Sequence, residues 1–218
     1  MREAAADFYY NSWRLVPANL IWGVLLLGLV TLSALWLPLA LLLALLAIPA
    51  AGLYRMAALI HRGAGTSFGD FLSAMVRWAG PALALGMGAM VLAFVFTANV
   101  FIGLEMGGVI GWGLSAFALY ADIGLAMFLV AAWPILTDPA REDLSLKHRL
   151  KLALVVNLAR PGRMFALTFI IGALLVVSTV MFVALLTVSL AYVSLLATRY
   201  VLPAADRLEG RKTKLATG

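Results

Sequence analysis

Two long stretches of this chain carry no charge at all, one between Arg14 and Arg55 and one from Met164 to Thr198. As single helices they would measure about 60 Å and about 50 Å, against a bilayer hydrocarbon thickness of about 30 Å. Each run must therefore turn back on itself. With 64% hydrophobic and only 12% charged residues, far below the roughly 25% charge of soluble domains, the chain reads as an integral membrane protein. Too few polar residues are left over to build a separate soluble domain. The absence of cysteine excludes disulfides, thiolate metal sites and a catalytic thiol.

The charged residues set the topology. Asp138 to Arg163 holds Arg141, Lys147, Arg149, Lys151, Arg160 and Arg163 between apolar runs, so it must lie in water at one membrane face. The positive-inside rule makes that face cytoplasmic. Working outward from it places all 16 Lys and Arg and both termini on that side. The fold class expected is all-α: a polytopic helical bundle of six transmembrane helices arranged as three hairpins, each preceded by an interfacial amphipathic helix.

The expected spans are 18–36, 38–58, 81–102, 112–136, 164–182 and 184–201, with interfacial helices at 5–15, 67–78 and 144–159 and a basic tail at 203–218. Trp36 and Pro38 mark the first turn, an indole suiting an interface and Pro a helix start. Thr66 or Ser67, the latter with Asp70 three residues on, can cap a helix whose apolar stripe is Phe68, Phe71, Leu72, Met75 and Val76. Ala82, Gly86, Ala89 and Ala93 at four-residue spacing predict a centrally packed third span. Gly103 to Gly113, with Glu105 its only charge, reads as an outer loop. No Pro or Gly marks the last turn, placed at 182–184. Phe8 to Arg14 and Phe71 to Arg77 share the spacing F-x5-R ahead of Pro17 and Pro81, and 152–161 repeats the plan loosely; the two readings are three related units and the basic stop and helix start that every re-entry needs.

Asp122 is the sharpest candidate for chemistry. It falls near the middle of the fourth span, where a carboxyl costs about 2.5 to 3.5 kcal/mol to insert, and no Lys or Arg lies near the middle of a span to pair with it. Ser115, Ala118 and Ala126 share its helical face, and Ser194 is expected at a similar depth. The two readings are a proton or cation relay and a hydrogen bond joining helices. His61 and His148 have no spacing that builds a metal site, which needs three or four convergent ligands. No catalytic triad, paired carboxylates, phosphate loop or cofactor motif is present. The basic residues Arg14, Arg77, Lys147, Arg149, Lys151, Arg160 and Arg163 are expected to face anionic lipid headgroups or a cytoplasmic partner. They lie beside apolar spans, so bilayer orientation rather than nucleic acid explains the net charge of +6.

Four segments, ANLIW (18–22), PAAGLYRMAALIHRG (49–63), SFGDFLSAM (67–75) and NLARPGRM (157–164), give the chain an outline that resembles the YesL-like family of small bacterial membrane proteins, a domain of unknown function. The resemblance covers nearly the whole chain, with a longer connection between the first two segments than the family often has. It implies a multi-span bundle in the bacterial cytoplasmic membrane and a non-enzymatic auxiliary or scaffold role beside carbohydrate uptake systems of the ABC class, whose subunits would be partners. It implies no catalytic residues. The alternative expectation is a small transporter or channel using Asp122.

Overall fold

The computed structural model describes residues 2–210; Arg211, Lys212 and Lys214 of the expected basic tail lie outside them. Helices and short turns make up the whole of the described chain, and no strand occurs among these residues. Six helical stretches are long and apolar enough to cross a membrane: Arg2–Leu35, Pro38–His61, Ala79–Met106, Gly108–Thr137, Pro161–Val180 and Phe182–Leu208.

The first helix, α1 (Arg2–Leu35), is continuous. The separate interfacial helix expected at 5–15 is instead the first turns of this element, and Pro17 lies within it. Proline removes one backbone donor, while no Gly supplies a turn between Arg14 and Ala18. Its 34 residues reach about 51 Å, so α1 extends well beyond a hydrocarbon layer. At Trp36 the backbone becomes extended and Pro38 begins a 3-10 helix, Leu37–Leu46, followed directly by α2 (Ala47–His61).

The short helix α3 (Phe68–Arg77) opens on Ser67, whose hydroxyl accepts from the Asp70 amide while the Asp70 carboxylate accepts from the Ser67 amide. This reciprocal cap satisfies two orphan donors. Of the expected apolar stripe only Phe71 is fully buried; Val76 and Leu72 are exposed. Then α4 (Ala79–Met106) and α5 (Gly108–Thr137) meet at Gly107 and Gly108, both at positive φ.

The expected outer loop at 103–113 is thus reduced to a two-glycine reversal, and the flanking glycines do something else. A Cβ on Gly103 would lie 2.4 Å from Ser115 Oγ, and one on Gly111 2.3 Å from the Gly103 carbonyl. They are helical residues that let two antiparallel helices touch backbone to backbone.

The third span is peripheral rather than central, since no residue in the central apolar window of α4 is buried. Its Gly86 does approach Ala47, but Ala89 and Ala93 are only half covered. The centre is made by α2 and the last helix. On α2 the small residues Ala50, Ala51, Ala57 and Ala58 are buried, and Phe71 of α3 fills the space over Gly52, where a Cβ would lie 2.5 Å from its ring. Leu53, Met56, Ile135, Met164, Leu195 and Val201 complete this core.

After α5, Pro139 excludes helical backbone from the residue before it, and Asp138 is accordingly extended. A 3-10 turn (Pro139–Arg141) leads to α6 (Leu146–Ala159), capped by the Ser145 hydroxyl, and Pro161 starts α7 (Pro161–Val180). The chain breaks at Met181 and continues as α8 (Phe182–Ala184), a π-helical turn (Leu185–Ser189) and α9 (Leu190–Leu208). Residues 203–208, expected in the tail, are therefore helix, and Ala204, Ala205 and Asp206 are buried.

The π-helical turn is held by Asn19 of α1. Its amide donates to the carbonyls of Leu186 (2.8 Å) and Leu185 (3.3 Å) and its oxygen accepts from the Ala191 amide (2.8 Å). One turn further along α1, a Cβ on Gly23 would lie 2.7 Å from the Leu186 Cα. A wide turn leaves backbone groups without regular partners, and in an apolar setting each must find one. Asn19 supplies both a donor and an acceptor.

Candidate functional site

The densest polar feature joins the ends of α2, α5 and α9. Arg62, just past the last residue of α2, grips two carboxylates at once. It reaches Asp138 through Nη2 at 2.6 Å and Nε at 3.1 Å, and Asp206 through Nη1 at 2.7 Å and Nη2 at 3.0 Å. Arg141, whose side chain is entirely buried, pairs with the same two acids: Asp138 directly, and Asp206 at 2.7 Å. It also reaches Glu209 at 2.7 Å.

Two planar guanidinium groups thus alternate with three carboxylates. This is the forked geometry for which arginine is suited. Burial alone would lower the pKa of Arg62, but the hydrogen bonds it donates to Asp206 and Asp138 outweigh it and hold the guanidinium above its ordinary value. The Asp138 carboxylate also accepts from the Ala140 amide at 3.2 Å, capping the turn that follows α5.

A second charged group lies beside it. Arg55 donates to the Thr137 carbonyl (3.1 Å) and pairs with Glu142 (2.5 Å), whose other oxygen pairs with Arg77 (2.6 Å). Arg149, expected at the surface, is buried instead. Its guanidinium donates to the carbonyls of Leu136 (2.6 Å), Glu142 (2.8 Å) and Leu144 (3.0 Å) and lies 4.6 Å from the Trp78 ring centre. Those carbonyls, freed where α5 ends and the loop begins, explain the inward turn of a charged residue. Burial pulls its pKa below the ordinary arginine value, against the nearby acids Glu142, Asp143 and Asp138. A third link joins Arg199 of α9 to Asp7 (2.5 Å) and Glu3 (2.7 Å) at the start of α1.

The other expected surface cations divide. Lys147, Lys151 and Arg163 are exposed and Arg160 is half-buried. Arg77 is exposed but paired, and Arg14 stacks 4.2 Å from the Trp13 ring centre. His148 is exposed and His61 half-buried. Among the described residues no three His, Asp or Glu side chains converge to hold a metal ion.

The intramembrane polar residues are not brought together. Asp122 accepts from Thr97 of α4 at 3.0 Å. Ser115 donates to the Val100 carbonyl at 2.9 Å, and Ser194 to the Ala191 carbonyl at 2.8 Å within its own helix. Asp122 therefore links α4 to α5, and Ser194, buried in α9, belongs to a different layer.

Sequence reasoning passed over Arg62, Asp138, Arg141, Asp206 and Glu209. The available signal was the placement of acids within basic segments, such as Asp206 beside Arg207: in those segments acids matched to arginines mark internal pairs. The cluster offers no activated nucleophile, since its carboxylates are engaged by guanidinium groups. What it can do is fix three helix ends and leave the cations of α6 and α7 facing outward. No family model, curated protein or solved structure matches this chain.

Proposed function

We propose that the chain is a multi-pass protein of a bacterial cytoplasmic membrane, with three transmembrane hairpins and both termini cytoplasmic, acting as a non-enzymatic auxiliary or scaffold component of a carbohydrate ABC uptake system. The observation that supports the scaffold reading most is the exposed array Lys147, Lys151 and Arg163, carried on helices adjoining the rigid cluster of Arg62, Asp138, Arg141, Asp206 and Glu209. Such an array attracts anionic headgroups, at about 1 kcal/mol per cation near the surface, and leaves a fixed basic face for a cytoplasmic partner. The transport connection rests on the resemblance to the YesL-like family. Affinity purification in mild detergent is expected to recover ABC transporter subunits, and the Lys147→Glu/Lys151→Glu variant to lose them. Recovery of the chain alone, under conditions that keep a known transporter assembled, overturns this reading.

The transporter or channel reading rests on Asp122. Its hydrogen bond from Thr97 supports a link between helices, and Asp122→Asn keeps an acceptor for that bond. Unchanged partner activity and unfolding temperature are the expected result for Asp122→Asn, with a lowered unfolding temperature in Asp122→Leu, which removes the acceptor; loss of reconstituted flux in Asp122→Asn would favour the relay.

A further inference from the structure

A groove of about 240 Å³ lies between α4, α5 and the first turns of α6, and every residue that lines it is apolar. Gly88 and Leu92 belong to its α4 wall, Leu125 and Phe128 to its α5 wall, and Leu146 and Leu150 to α6. On α4 the lining residues Ala84, Gly88 and Leu92 repeat at four-residue spacing and are exposed. A Cβ on Gly88 would meet nothing, so this strip leaves the groove open sideways. From Pro81 to Leu92, the ends of the α4 wall, the helix rises about 16 Å, close to half of a hydrocarbon layer about 30 Å thick. The groove therefore has the depth of one leaflet.

The charges beside it are unbalanced. On α6 the buried strip is Arg149, Leu152, Ala153 and Val156. With about 100° between successive residues, Leu146 and Leu150 lie to one side of that strip, and Lys147 and Lys151 follow on the exposed face next to them. The lysines thus border the groove where α6 lines it. Neighbouring arginines find their counter-ions inside the protein: Arg55 and Arg77 share Glu142, and Arg62 and Arg141 share Asp138 and Asp206. Among the described residues Lys147 and Lys151 have no ion pair and no hydrogen bond. Asp143, exposed ahead of α6, offsets one of the two charges. What occupies this place is apolar through the depth of a leaflet and anionic where it meets the lysines.

We propose that the groove holds one acyl chain of an anionic phospholipid of the cytoplasmic leaflet, with the phosphate at Lys147 and Lys151. The proposal rests on the membrane-spanning reading given above and names a ligand for its basic face. A zwitterionic lipid would fill the groove equally well but bring a cation of its own to the lysines. A soluble anion would meet the lysines and leave the apolar walls uncovered. Only the anionic lipid answers both observations.

The test is native mass spectrometry of the full chain in mild detergent, titrated with dioleoyl phosphatidylglycerol and, separately, with dioleoyl phosphatidylcholine, which has the same chains and no net charge. A saturable one-to-one adduct with the anionic lipid is expected, at least about fivefold tighter than with the zwitterionic one, the worth of one uncompensated surface cation. Gly88→Phe, placed where a side chain meets open space, fills the groove and should raise the Kd about tenfold; Ala84→Phe narrows the same strip and serves if Gly88→Phe does not fold. Lys147→Gln/Lys151→Gln should bring the two lipids level. Equal affinity of the wild type for both lipids overturns the choice of ligand, and anionic-lipid binding unchanged in the filled variants overturns the groove. Transporter subunits take no part in this measurement, and Gly88→Phe should still recover them in the affinity purification, so either proposal can fail without the other.

Discussion

Arg141 shows how far a charged side chain can depart from the surface when its partners are supplied. Deleting one member of a buried ion group costs about 3 to 5 kcal/mol, because the remaining charges are left uncompensated. Arg141→Met and Asp206→Asn are each expected to lower stability by about that much, measured as thermal unfolding in detergent. Combining them should cost less than the sum of the two, as they pair with each other. Arg62 contributes differently with pH. Its folded pKa is raised, so its stabilisation is complete below the ordinary arginine value and is lost only in strong alkali. The difference in unfolding temperature between the wild type and Arg62→Met should therefore stay constant between about pH 6 and 9. At this scale the sequence was least informative. Charge type was legible, and so was the basic character of 138–163, but which arginine turns inward depends on carbonyls at the end of α5 and in the loop after it. Arg149 and Lys151 look alike in the sequence, and only Arg149 meets three such carbonyls.

Among the elements, the closest approaches are made where a side chain is missing. Gly103 and Gly111 were legible as glycine and were assigned to a loop, because turn and helix contact both favour glycine and a single sequence does not separate them. Gly111→Val is expected to separate α4 from α5, as its Cβ would meet the Gly103 carbonyl at 2.3 Å. Weakened retention of the α4–α5 pair should appear as a lowered unfolding temperature, whereas Gly113→Ala, with open space around it, should leave that temperature unchanged. Asn19 provides the companion case on α1. Asn19→Leu removes the partners of a π-helical turn and should cost about 1 to 3 kcal/mol for each buried group left unsatisfied. The break at 182–184 was placed from length and charge alone, since no Gly or Pro marks it, and the helix is interrupted at Met181. Nothing local to Leu185–Ser189 announces a π-helical turn; its cause lies in Asn19, far away in the chain.

For the molecule as a whole, the positions of charge were enough to read six helices long and apolar enough to cross a membrane, because ions are costly in hydrocarbon wherever they occur in the sequence. The depth of each helix in the bundle was not readable in this way: small residues on α4 resemble those on α2, yet α2 is central and α4 lies at the edge. The proposed orientation can be checked directly, since the chain has no cysteine of its own. An impermeant thiol reagent added outside intact cells should label Val109→Cys and leave Lys147→Cys and Lys151→Cys untouched. The second of these helices also differs from the rest in its winding. Ten residues, Leu37–Leu46, rise as a 3-10 helix, which advances about 2.0 Å per residue against 1.5 Å in an α-helix. Rewinding those ten residues as an α-helix would shorten the helix by about 5 Å, a change confined to leucine, alanine and proline at the end far from Arg55 and Arg62.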